Sequence, residues 1–233
     1  MLNSFSKHQK IIFYLFSIIM SVFYITFIIL EYSKPHLDNT FFKYATVVFS
    51  GLYVLYQFIN SLLKKERIII LSFSLIAIIF TLISDYFLLI LDKYYEIGLT
   101  TFIIAQILYG VRIHFEYTDK EILLTSISIR IISLIASLIY LLVQKDLLTS
   151  LVIFYSVNHI FNFISSLWIF IKHKDRHMLI LAIGFFLFIL CDICVGIYNL
   201  KEISFIIPLM WIFYTPSQYF LSLSTALIVN KQE

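Results

Sequence analysis

The stretch 80-FTLISDYFLLI-90, with its counterpart 188-FILCDICVGI-197, decides how the chain is read. Each places one aspartate, Asp85 or Asp192, in the middle of an apolar run long enough to cross a bilayer. A charge at the bilayer centre costs at least about 2.5–3.5 kcal/mol and persists where it faces a bundle interior and has a partner or a task. Outward from these two runs the same composition continues. Of 233 residues, 61% are hydrophobic and 13% charged, and the mean hydropathy is +0.95. Soluble domains carry roughly 45–50% apolar and about 25% charged residues. A span takes about 20 apolar residues, and eight runs fit: 10–31, 40–62, 68–91, 97–113, 121–143, 147–171, 177–198 and 203–229. The expected fold is all-α, a polytopic membrane bundle of eight helices forming a single integral domain over 1–233. No loop is rich in Pro, Gly or Ser, so no linker or second domain is expected. The net charge of +3 comes from loop residues rather than one basic face, which argues against a nucleic-acid partner.

The first run, Ile11–Leu30, exceeds a signal-peptide core and reads as a retained span. With the N-terminus inside, Lys7, Lys10, Lys64, Lys65, Arg67, Arg112, Lys120, Lys172, Lys174, Arg176 and Lys231 fall on the cytoplasmic side. Lys34, Lys43, Lys93, Lys145 and Lys201 fall outside, eleven against five, with Arg130 inside a span. The positive-inside bias therefore puts both termini in the cytoplasm. Abundant Ile, Lys, Asn, Phe and Tyr suggests an AT-rich genome and hence a bacterial plasma membrane.

This topology sends spans three and seven outward and gives Asp85 and Asp192 a common depth, slightly beyond the midplane. Other polar residues sit mid-span: Gln106 and Tyr109 in span four, Arg130 in span five, Asn158, His159 and Asn162 in span six, Tyr214 and Gln218 in span eight. None faces lipid comfortably, so they are expected to line one interior polar cavity. Each aspartate span is followed by a span with a Gln and a Tyr, a hint that the second half repeats the first in the same orientation. Cys191 and Cys194, at i and i+3, are poor disulfide partners and read as packing residues. His173 and His177 have a metal-binding spacing, yet lie among Lys172, Lys174 and Arg176, so a solvated basic edge facing lipid headgroups is expected there. No metal or other cofactor is expected.

Burial disfavours the charged form of a carboxyl group. Two carboxyls close together let one keep a proton while the other ionises, the arrangement used on acid-labile C–O bonds. A vinyl ether suits it. Protonation of the outer alkene carbon gives an oxocarbenium ion, and water then gives a hemiacetal that collapses to an aldehyde. No nucleophile elbow or zinc-type histidine set is present for ester chemistry. The alternative for intramembrane carboxylates is a proton-coupled transporter or channel. Against it, five Gly and three Pro leave little to break helices.

The stretch from Phe80 through YYEIGLTTFIIAQILYG resembles the first signature of the YhhN-like lysoplasmalogenases, at Ser84, Asp85, Tyr95, Gly98, Leu99, Phe102, Gln106 and Tyr109. Gly184, Phe188, Cys191, Asp192, Trp211, Tyr214 and Gln218 are similar to the second signature, and Val152 and Tyr155 to a third element. The resemblance covers about residues 68–229. Gln106 stands where the family usually has His, and Cys191 where it has Ser. The resemblance implies cleavage of the vinyl ether of a lysoplasmalogen to a fatty aldehyde and a glycerophospho-headgroup. Asp85 and Asp192 would then be the acid and base. Gln106, Tyr109, Tyr214, Gln218, His159, Asn158 and Arg130 would hold a membrane lysophospholipid, the last with His159 near its phosphate.

Overall fold

The computed structural model describes residues 5–33, 39–117, 119–203 and 205–229. Lys34 and Lys231, used above to orient the chain, lie outside the described residues. Eight α-helices follow one another: α1 Lys7–Ser33, α2 Thr40–Lys64, α3 Ile68–Asp85, α4 Tyr95–Glu116, α5 Lys120–Gln144, α6 Leu147–His173, α7 Arg176–Lys201 and α8 Ile206–Val229. They match the expected runs to within a few residues. A π-helical turn, Tyr86–Ile90, continues α3.

Seven of the helices are long and apolar enough to cross a membrane. The remaining one, α8, has 24 residues, about 36 Å at 1.5 Å per residue. Its polar side chains, including Thr215, Ser217, Gln218, Ser222, Ser224 and Thr225, lower its hydropathy, and all of these are buried. A helix flanked by protein on most sides tolerates this polarity.

The helix ends are set locally. Asp119, Asp146 and Asp175 open α5, α6 and α7, each accepting a hydrogen bond from a first-turn N–H, the standard remedy for orphaned N-terminal donors. Two corners are Lys–Asp pairs. Lys145 and Lys174 adopt left-handed backbone at φ 56° and close one helix, and the following aspartate caps the next.

Six helices close a ring in the order α2, α3, α4, α6, α7, α8, with α8 returning to α2. Outside it, α1 packs on α2 and α8, and α5 packs on α6. The first helix of each half, α1 and α5, thus lies outside the ring. The outer face of α5 is mostly exposed, while Ser126, Ser133 and Ser137 turn inward. Ser137 and Ser150 exchange hydroxyl-to-carbonyl bonds at 2.9 and 2.8 Å, small polar contacts typical of membrane helix interfaces.

Three of the charges placed in loops or at the solvated edge are instead buried. Arg112 is 0% exposed inside α4, donating from Nη2 to Ser224 Oγ at 2.8 Å. Lys43 pairs with Glu31 at 2.9 Å and lies over the Trp211 ring. The solvated edge expected at His177 is also corrected. Because α4 runs on to Glu116, its carboxylate meets His177 Nε2 at 2.8 Å, while Asp175 holds Nδ1 at 2.6 Å. His173 packs against the Tyr117 ring. Burial and the adjacent Asp175 carboxylate push the Tyr117 phenol above its ordinary range.

Candidate active site

Asp85 is the last residue of α3, immediately before the π turn. Such turns are rare and are concentrated at functional sites. Next to it, Ser84 Oγ donates to the Gly98 carbonyl at 2.6 Å, fixing α3 against α4 at this height. Asp85 is 5% exposed and accepts a hydrogen bond from Tyr214 Oη. Among the described residues no basic side chain pairs with it.

Asp192 on α7 is in a different setting. Its side chain is 31% exposed. Its Oδ2 accepts from Tyr155 Oη at 2.9 Å and lies 2.8 Å from His159 Nδ1. Tyr155 and His159, one turn apart on α6, thus grip one carboxylate oxygen.

The two carboxyls do not bond each other among the described residues, but they share one aromatic cluster. The Phe188 ring lies 4.6 Å from His159 and 5.2 Å from Tyr214, so it separates the two tyrosine–aspartate units. Tyr155 and Cys191 each lie within electrostatic reach of both Asp85 and Asp192. Height can be compared along α4. Asp85 is level with Gly98. Tyr155 packs on Phe102, ring centroids 5.9 Å apart. Four residues of helix separate those levels, about 6 Å.

The remaining polar residues divide into separate groups rather than one lining. Arg130 reaches from α5 to Asn158 Oδ1 at 2.9 Å, Asn162 Oδ1 at 2.7 Å and Ser126 Oγ at 3.2 Å. The amides are held with their oxygens toward it, because Asn158 Nδ2 donates to the Phe154 carbonyl and Asn162 Nδ2 to Gln106 Oε1 and its carbonyl. Gly110 makes room, since a Cβ there would lie 2.1 Å from Arg130 Nη2. A guanidinium has five N–H groups, and these bonds use three. Its protein acceptors are neutral, and no acidic side chain pairs with it among the described residues. Gln106 and Asn158 therefore belong to the Arg130 group. Tyr109 packs edge-on against Phe185 at 5.6 Å. Gln218, one turn beyond Tyr214, is fully buried, with neither amide atom bonded to protein.

Sequence reasoning named Tyr155 only through its family position and did not give it a part in the site. Its spacing of four from His159 was the available signal. Both cysteines are buried and free. Among the described residues no group of three His, Cys, Asp or Glu side chains is placed to hold a metal.

No curated protein and no solved structure shows significant similarity to the chain. The model of the YhhN family matches residues 38–225, which take in α2 to α8 and both tyrosine–aspartate units. With four-fifths of its length matched in this way, the chain belongs to the YhhN family.

Proposed function

We propose that the protein is a membrane-embedded hydrolase that cleaves the vinyl ether of a lysoplasmalogen-type lipid, releasing a fatty aldehyde and a glycerophospho-headgroup. The observation that carries this reading is the gathering of two intramembrane carboxyls, from separate halves of the chain, around one phenylalanine ring. Their unequal surroundings suit unequal roles. Asp192 Oδ2 is hydrogen-bonded by an imidazole and a phenol, and Asp192 serves as the ionised member. Asp85 has only a phenol and serves as the proton donor to the outer alkene carbon. The developing oxocarbenium is stabilised by the Asp192 carboxylate, and the aromatic surroundings limit bulk water.

Arg130 suits the lipid phosphate, with two N–H groups left and no acid beside it. It bonds Asn158, the neighbour of His159 in α6. Arg112 does not fit this role. It is fully enclosed, 0% exposed, and donates to Ser224 on α8.

The test is release of fatty aldehyde from a defined lysoplasmalogen by the purified protein in detergent or liposomes. Wild type is expected to release it, and Asp85→Asn to lose at least about 100-fold in rate, the lower range for a general acid. Full activity in Asp85→Asn removes the mechanism, and an inactive wild type removes the reading. Proton-coupled transport is the rival use of such carboxylates, with proton flux in proteoliposomes without lipid turnover as its signature. The described helices run through without an unwound segment, their irregularities being the π turn after α3 and Pro216 inside α8, whereas transporter sites are typically built on broken helices.

A further inference from the structure

We infer that His159 is the proton-transferring base of this site, acting through Nε2, with Asp192 as the group that orients it. The inference rests on the hydrolase reading above and assigns the residue that handles the water. Three observations carry it. His159 Nδ1 lies 2.8 Å from Asp192 Oδ2. That same oxygen accepts from Tyr155 Oη at 2.9 Å. An oxygen accepting a phenolic hydrogen bond is suited to accept Nδ1–H as well, which leaves the lone pair on Nε2. The residue is 1% exposed, and Nε2 has no hydrogen-bond partner among the described residues.

The ring is positioned as well as polarised. Phe188 and Phe185 meet it edge to face at 4.6 and 5.8 Å, and Tyr155 lies 5.7 Å away. Carboxylate, imidazole nitrogen and a second, unbonded nitrogen form the arrangement by which a histidine removes a proton from a hydroxyl while its carboxylate fixes the tautomer. Buried side-chain nitrogens usually have a partner, so the unbonded Nε2 is open to a reacting water.

The resulting cycle balances. Asp85 delivers its proton to the alkene carbon, and the ether-bearing carbon becomes an oxocarbenium. A water oxygen bonds to that carbon as its proton passes to His159 Nε2. The imidazolium is balanced by Asp192, to which Nδ1–H remains bonded. In the hemiacetal the C–O bond to the glycerol oxygen breaks as Nε2–H protonates that oxygen, and the hemiacetal hydroxyl returns a proton to Asp85. One water is consumed, and both groups regain their starting protonation.

The experiment compares wild type, His159→Gln and His159→Ala on a defined alkenyl lysophosphoethanolamine, reading aldehyde release and the thermal midpoint. His159→Gln keeps a donor for Asp192 but has no basic nitrogen. It is expected to lose about 10²–10⁴-fold in kcat with KM and midpoint little changed. Added imidazoles are expected to restore His159→Ala in order of their basicity, which a purely structural role would not produce. Wild-type kcat in His159→Gln overturns the proposal while leaving the hydrolase reading intact. So does rescue independent of basicity, absence of rescue, or a loss matched by a collapse of the thermal midpoint. An inactive wild type instead removes the hydrolase reading itself.

Discussion

Tyr214 on α8 donates its phenolic proton to Asp85 at the end of α3, joining the two helices across the ring interior. Its counterpart in the second half, Tyr155 with Asp192, joins α6 to α7. The ring is therefore tied twice, at levels about 6 Å apart, by bonds of the same type between different helix pairs.

Removing the Tyr214 phenol isolates the first tie. As Asp85 gives up its proton the bond strengthens from about 0.5–1.5 kcal/mol, to a neutral group, to about 1.5–3 kcal/mol, to a charged one, a difference equivalent to roughly 5–15-fold. Tyr214→Phe is expected to lower kcat within that range in the aldehyde-release assay. The ring contacts with Phe188 and Trp211 are kept, so the thermal midpoint should change less than in Tyr214→Ala.

Gly110 tests the phosphate site without touching a polar residue. In Gly110→Ala the new methyl group would take the position now used by the Arg130 guanidinium. The expected result is a KM for lysoplasmalogen raised about tenfold or more, with kcat little changed, the pattern of lost uniform binding. Arg130→Lys should give a similar increase, because a point charge cannot bond both asparagines as the planar fork does. An unchanged KM in both variants would remove Arg130 from substrate binding.

Glu116 anchors one end of the ring, meeting His177 at 2.8 Å and Arg67 at 3.7 Å. Glu116→Ala leaves the buried His177 with Asp175 as its recorded acidic partner. It is expected to lower stability by about 2 kcal/mol, read as a drop in thermal midpoint in detergent. Aldehyde release at low temperature should persist, since Glu116 lies eighteen residues along α4 from the Gly98 level of Asp85, about 27 Å.

Two loop carboxylates predict how stability responds to acid. The Lys172 ammonium and first-turn N–H groups hold Asp119 below the usual carboxylate range, and Thr149 does the same for Asp146. A depressed value means that the ionised form is favoured in the fold. The contribution is complete above the ordinary carboxyl value of about 3.9 and is lost as pH falls through the lower folded values. The share of the thermal midpoint carried by these two groups should be level from pH 7 to 5 and fall below pH 4. The fall should be shallower in Asp146→Asn, which keeps a capping oxygen without the titration.

Lys145 offers a stabilising change. Its left-handed backbone costs a residue with a Cβ about 1 kcal/mol, and glycine is the usual occupant of such a helix end. Lys145→Gly should gain about 0.5 kcal/mol net of the added freedom of the unfolded chain. The thermal midpoint should rise by one or two degrees.

Hydropathy was sufficient to find the eight helices, because burial of α8 is assured by its neighbours even where its own polarity is high. The cost of an intramembrane charge marked Asp85 and Asp192 from sequence. Their partners were harder to see. Tyr155 is one of sixteen tyrosines, and only the α6–α7 contact picks it out. Asn158 and Asn162 were visible as one helical face, but the guanidinium they bind comes from another helix. The end of α4 was placed short because Arg112 and Glu116 look like loop charges until Ser224, Arg67 and His177 are seen around them. The π turn left no mark in the residue pattern, since it depends on how the α3–α4 corner packs.

That turn holds one residue more than the regular helix it interrupts. Deleting a residue between Tyr86 and Ile90 would wind the corner back by about 100° and lift Leu88 from its seat over Gly98. The carbonyl that anchors Ser84 would shift with it. Spacing at this corner is thus as consequential as residue identity. A relative with an indel here would hold its first aspartate at a different angle, even with every polar residue unchanged.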